Sequence, residues 1–376
     1  MKSGWSTDSL GNICDFLNRG ISPKYLAQDG VCVLNQKCIR DHRVNYELAR
    51  RHDADAKAVS IERTIQLGDV LVNSTGTGTL GRVAQVREQP VELTTVDSHV
   101  TIVRPKHGRF FLDFFGYMLV LIEEAIEEAG EGCGGQTELS RSVLAEKFLV
   151  SYPVSISEQQ RIVAILDEAF EQIAIARTNT EKNLQNARAL FESYLHSIDA
   201  EEQEFGNFVS IKTGKLDANA AVEGGAYPFF TCSRDVYRID KFAFDCEAIL
   251  LAGNNASGDF NVKHYIGKFN AYQRTYVITV NNESDASYRY LYFQLLAKLK
   301  DFKKQSVGSN TKFLKIGMIQ GMKIPMPSFA EQQAIVIKLD GLLAETQHLE
   351  SIYQRKLTAL DALKKSLLHK AFAGEL

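Results

Sequence analysis

Two stretches of this chain are near copies of each other. Ser157–Glu158–Gln159–Gln160–Arg161–Ile162–Val163, running on to Leu166–Asp167, recurs as Ala330–Glu331–Gln332–Gln333–Ala334–Ile335–Val336, running on to Leu339–Asp340. Each follows a proline-bearing apolar strand, FLVSYPVS and then MKIPMPSF. Each opens a helical pattern that spans about 40 residues, 157–198 and 330–372, with Gly341 as the one weak point. Apolar residues recur at spacings of three and four, through Ile162, Leu166, Ile173, Leu184 and Phe191 in the first and Ile335, Leu339, Leu349, Leu360 and Leu367 in the second. Ser157 or Ser328 caps the start, with Gln160 or Glu331 three residues on as in a capping box. At 1.5 Å per residue, about 40 residues reach roughly 60 Å, more than a core of this size covers. The apolar stripe of each helix therefore needs another helix, and the other copy is the natural partner, running antiparallel.

The duplication extends upstream. Gly134–Gly135–Gln136–Thr137 matches Gly308–Ser309–Asn310–Thr311, and Leu10–Gly11–Asn12–Ile13 matches Phe205–Gly206–Asn207–Phe208. Residues 69–72 match 247–250 in pattern, and residues 99–103 resemble 275–279. The offset drifts from 195 to 173, so the first copy carries extra residues, mostly within 21–70. Strand-like runs at 64–72 and 82–86 and a helix at 111–128 in the first half answer strands at 248–252 and 276–280 and a helix at 288–303 in the second. The expected fold is α+β: two mixed α/β domains, 1–156 and 205–328, separated by two long antiparallel helices, 157–204 and 329–376, with a pseudo-twofold internal repeat.

Charge follows this division. The net charge of −3 over the whole chain hides −3 in 1–156, −6 in 157–204, +6 in 205–328 and zero in 329–376. A basic second half suits phosphate, and an acidic helix suits water or a protein partner. No run of 18 apolar residues suggests a membrane span, and residues 1–12 lack the apolar core of a secretory signal. Six scattered cysteines, 14, 32, 38, 133, 232 and 246, form no zinc pattern and read as free thiols in a reducing cytoplasm.

Polar loops carry the candidate contacts. Asn73, Ser74, Thr75, Thr77, Thr79 and Arg82 crowd one loop, with Gln136 and Thr137 further on. In the second half the set is Arg234, Asn254, Asn255, Ser257, Lys263, Tyr272, Gln273, Arg274, Thr275, Asn310, Thr311 and Lys312. Asn, Gln and Arg match the edges of adenine and guanine, and Ser, Thr and Lys bind phosphate. Each residue taken alone is also ordinary turn chemistry; their recurrence in both copies is what points to DNA. Gly76–Thr77–Gly78–Thr79–Leu80–Gly81 fits the dinucleotide fingerprint in letters, but residues 82–86 alternate as a strand where that site needs a helix. No Walker A, H-E-x-x-H, G-x-S-x-G or Asn-Pro-Pro-aromatic motif occurs, so no catalytic residue, metal site or cofactor site is expected. His99 and His264 read as lone structural histidines.

The strand–proline–EQQ–Ile–Val–Leu–Asp arrangement at 153–167 and 325–340, and the closing Lys364–Lys365–Ser366–Leu367–Leu368–His369–Lys370–Ala371–Phe372–Ala373–Gly374–Glu375–Leu376, resemble the specificity subunit of type I restriction–modification systems. The resemblance is close in the helices and loose in the globular halves. It implies that each half is a target-recognition domain reading one part of a split site in double-stranded DNA. It also implies that the helices set the gap and dock two methyltransferase subunits carrying S-adenosylmethionine. ATP-driven restriction subunits join that core, and the specificity subunit itself catalyses nothing. The competing expectations are a protein-interaction scaffold without DNA binding and, through the glycine loop, a nucleotide-using enzyme.

Overall fold

The computed structural model describes residues 3–131 and 137–376. It divides into two compact units, Met1–Thr178 with Lys356–Leu376, and Asn179–Arg355. Two long helices, Ile156–His196 and Phe329–Ala373, run unbroken and each contributes to both units. Among the described residues, no helix is long and apolar enough to cross a membrane.

The first unit is built on a four-stranded antiparallel sheet in the order Cys14–Arg19, Val100–Pro105, Val70–Asn73, Val83–Gln85. A second sheet places Val31–Leu34 parallel to Thr94–Val96 and carries Arg50–His52 and Tyr25–Leu26 beyond it. These strands are where the extra residues of 21–70 go. The helical run at 111–128 is interrupted at Ile122, giving Leu112–Leu121 and Glu123–Glu128. Phe114, Phe115 and Met118 face a core that takes Ile162 and Leu166 from the first long helix and Leu368, Ala371 and Phe372 from the end of the second. Phe114 and Phe372 pack with ring centroids 4.8 Å apart. The two helices run antiparallel here: Arg161 donates to the carbonyl of Leu376, Lys364 lies over Phe170, and Arg177 pairs with Asp361 at 2.5 Å. Ile173, Leu360 and Leu367 are half-buried.

The second unit holds one six-stranded sheet in the order Val209–Thr213, Thr275–Val280, Phe244–Ala252, Val262–Ala271, Tyr227–Phe230, Tyr237–Ile239. Tyr227–Phe230 is its one parallel neighbour, paired with Val262–Ala271. The helix Tyr288–Gln305 covers one face through Tyr290, Leu291 and Leu295. Phe191, Leu195 and Leu339 of the long helices pack on Phe293 of that helix, with the Phe191 and Phe293 rings 5.8 Å apart. The stripe thus serves a globular core as well as the facing helix, a wider role than pairing alone. The long helices are antiparallel in this unit too: Thr346 donates to the carbonyl of Ala187, Arg188 pairs with Glu350 at 2.5 Å, and Lys338 sits over Tyr194. Leu184, Ile335 and Leu349 are half-buried.

The repeated EQQ has a local cause. Its middle residue, Gln159 or Gln332, is fully buried. Gln159 Oε1 accepts from the Phe111 N–H at 2.7 Å, while its Nε2 donates to the carbonyl of Pro153 at 2.9 Å. Gln332 accepts from the Ser287 N–H at 3.0 Å and donates to the carbonyls of Asp285 and Pro327. Each glutamine satisfies backbone groups at the start of its globular helix, groups that would otherwise be buried without a partner. The repeated Asp does related work: Asp167 accepts from the Tyr117 hydroxyl and Asp340 from Arg289. The caps differ from expectation at one end. Ser328 and Glu331 form the reciprocal capping box, with Ser328 N–H to Glu331 at 2.9 Å. The first helix begins a residue early, at Ile156, so Ser155 rather than Ser157 receives the Glu158 N–H, and Gln160 is not part of a box.

Candidate nucleic-acid interface

Both units form the same platform from matching backbone bonds. In the first, residues 97–100 make a tight turn closed by Val100 N–H to the Asp97 carbonyl, and the His99 carbonyl accepts from Ser74. In the second, residues 272–275 make the same turn, closed by Thr275 N–H to Tyr272, and the Arg274 carbonyl accepts from Gly253. Leu139 then donates to Ser74, as Leu314 donates to Gly253. These bonds align Val100 with Thr275 and His99 with Arg274, a register one residue away from the sequence match of 99–103 with 275–279. Close approach fixes the glycines beside the turns: a Cβ on Gly20 would lie 1.9 Å from the Val96 carbonyl oxygen, and one on Gly214 would lie 1.8 Å from that of Ala271.

In the first unit the glycine loop joins antiparallel strands, Val70–Asn73 and Val83–Gln85, so no helix opens at Gly81 to hold a pyrophosphate. Asn73 and Ser74 are buried and are not surface contacts: Asn73 donates to the Gln36 carbonyl, and Ser74 bonds the Thr101 hydroxyl. Polarity misled the reading here, because both side chains are buried and bond interior groups. Thr75 is half-buried and bonded to His99 Nδ1 at 2.8 Å and to Gln36. Thr79 closes its own turn on the carbonyls of Thr75 and Gly76, and Arg82 spans the turn to the Gly78 carbonyl at 2.7 Å. Thr77 is exposed at the tip. Thr137 meets the loop through its carbonyl, which accepts from Gly76; Gln136 lies outside the described residues.

In the second unit three of the polar clusters converge. Asn254 and Asn255 pair with Phe313 and Lys312, and the turn bearing Gln273 and Arg274 lies beside them. Gln273, Arg274 and Phe313, together with Thr213, Tyr276, Val307 and Lys315, line an open cleft of 580 Å³. Arg274 is exposed and sits 6.0 Å over the Phe313 ring. Gln273 is exposed and bonds Asp217, Tyr272 is half-buried, Asn310 is exposed, and Thr311 is half-buried. Three candidates are internal struts. Thr275 is buried against Cys232. Asn255 Oδ1 accepts from the N–H groups of Ser257 and Asp259, and from the otherwise exposed Ser257 hydroxyl, shaping its own turn. Lys263 donates to the Ser233 carbonyl at 2.7 Å and to Asn261, and burial pulls its ammonium below the usual lysine range. Arg234 is exposed and paired with Asp259 at 2.6 Å, which holds that carboxyl below the usual range. Sequence reading missed Gln36, His99, Thr213, Phe313 and Lys315; the turn register was the signal that brings His99 in. Among the described residues, no group of three or more His, Cys, Asp or Glu is arranged to hold a metal ion.

Residues 198–357 match the family model for the type I restriction modification DNA specificity domain. The chain is 40% identical over 182 residues to the Escherichia coli type I restriction enzyme EcoDI specificity subunit, a match covering 48% of this chain and 39% of that relative. The match thus spans about two fifths of that relative's length. In fold it is similar to a chain from a structure of type I R-M system assembly and conformational transition, with TM-score 0.79 at 16% identity, covering 100% of this chain and 99% of the other. It is also similar to the HsdS subunit from Thermoanaerobacter tengcongensis, with TM-score 0.56 at 16% identity over 100% and 98% of the two chains. The two mixed α/β units with shared long helices are thus the fold of specificity subunits, and the resemblance seen in the sequence holds.

Proposed function

We propose that this chain, a relative of the type I restriction specificity subunits, reads a split site in double-stranded DNA, one part with each globular unit. The observation that carries the reading is the paired platform: the same turn and crossing loop, built by the same backbone bonds in both units, each presenting polar side chains at its rim. Residues 1–156 and 205–328 act as the two target-recognition domains. The helices set the gap and dock two methyltransferase subunits, which supply S-adenosylmethionine and the methyl-transfer chemistry; restriction subunits supply ATP hydrolysis. The chain needs no catalytic group of its own, and it works in the cytoplasm, where the DNA is.

Base-edge contacts are local, so the two readers are separable. Exchanging residues 205–327 for the matching segment of a relative, in cells carrying the methyltransferase, tests this by methylation mapping. One half of the modified motif changes and the other stays. Both halves changing together overturns the division of labour. No chain-dependent methylation, with binding to protein but no salt-sensitive binding to DNA, favours a scaffold instead.

A further inference from the structure

The first unit lacks an arginine at the position where the second presents Arg274. His99 stands there instead, third in a turn closed by the same bond and tied to the neighbouring strand by the same carbonyl. Its surroundings are ordered. Asp97 accepts the His99 backbone N–H at 2.9 Å, which fixes the turn. Gln36 Nε2 donates to Thr75 Oγ1 at 2.7 Å, and Thr75 Oγ1 lies 2.8 Å from His99 Nδ1. A hydroxyl that accepts from an amide keeps its own proton to give away. When Thr75 gives that proton to Nδ1, the neutral ring carries its own on Nε2. His99 is exposed, and its Nε2 has no bonding partner among the described residues. The relay leaves one N–H donor on the exposed ring, at the position where Arg274 offers its own donors.

We infer that His99 is a specificity-determining residue of the first half-site, giving its Nε2–H to an acceptor on a base edge, with Gln36 and Thr75 as positioning residues. This rests on the DNA-reading function proposed above. In the major groove the acceptors open to a single donor are the purine N7, guanine O6 and thymine O4. Gln36 belongs to the extra segment 21–70, so that insertion acts as the support of the reading side chain as well as an added sheet.

Methylation mapping with the full chain and its methyltransferase tests this. His99→Ala lowers discrimination roughly tenfold at one position of one half of the motif. Arg274→Ala loosens one position in the other half. His99→Arg supplies a forked donor and moves the same first-half position toward guanine. Thr75→Val releases the tautomer and loosens that position alone. A wild-type chain that directs no split methylation removes the DNA-reading function itself. A wild-type motif that His99→Ala leaves unchanged overturns the role of His99 while DNA reading stands. If His99→Ala abolishes modification, His99→Arg decides. A motif altered at that one position supports the inference; an unaltered motif, or none, overturns it, because a folding role then suffices.

Discussion

The two units share a frame and differ in what fills it. Where the second unit has Thr213, a short side chain beside an open cleft of 580 Å³, the first has Arg19. Arg19 reaches across the equivalent space to the Leu139 carbonyl at 2.8 Å and to Glu138 at 2.7 Å. One platform is closed by its own ion pair and the other is left open beside Arg274 and Lys315. The shared parts are backbone bonds, tight glycines and the buried glutamine; the differing parts are side chains at the rim. Structural support is thus concentrated in what the copies share, and the side chains that differ lie at the rim.

The largest expected effect breaks the comparison, because it belongs to the first unit alone. Asp69 is buried, with Arg104 bonded to both its oxygens at 2.8 and 2.7 Å. Arg104→Met strands a buried charge and costs about 3–5 kcal/mol at neutral pH. Burial raises the Asp69 carboxyl above its ordinary 3.8, against the pull of Arg104. A raised carboxyl takes up its proton more readily in the folded state, so its contribution to stability is gained as pH falls through that raised value and lost as pH climbs. The deficit of Arg104→Met relative to the parent chain shrinks in acid, and urea melts at neutral and acidic pH check it. A deficit that stays constant with pH removes the buried charge as its cause.

The next prediction sharpens the likeness. Gly20→Ala and Gly214→Ala each drive a Cβ into a backbone carbonyl, costing about 3 kcal/mol in the unit concerned. Hydrogen exchange reads each unit separately, and a loss of protection confined to the substituted unit is expected. Smaller again is Gln332→Leu, matched by Gln159→Leu. Each leaves a backbone N–H and carbonyls unpaired and costs about 1–3 kcal/mol. Similar losses in the two variants, measured by denaturant midpoint, mark the glutamines as one device used twice; a loss in only one separates them.

The repeat was legible because helix periodicity and an exact motif survive in both copies. The role of its glutamine was not, since an amide reads as surface chemistry until its backbone partners are known. Asn73, Ser74 and Thr275 were misplaced for the same reason: composition does not tell a polar rim from a hydrogen-bonded interior. His99 read as a lone structural histidine because its neighbours Thr75 and Gln36 lie far from it in sequence, and only the fold brings them to its ring. The extra segment 21–70 was visible as length, but not its parallel pairing with Thr94–Val96, which depends on contacts far apart in the chain.

The core of the first unit contains Leu368, Ala371 and Phe372, contributed after the whole of the second unit in chain order. A ribosome therefore finishes Asn179–Arg355 before it supplies the residues that close the unit it began first. Until Lys356–Leu376 emerges, Phe114 and its neighbours wait without their last partners. The duplicated halves thus mature in the reverse of their order of synthesis. A message or chain cut short just past Arg355 would leave the later half whole and the earlier one open.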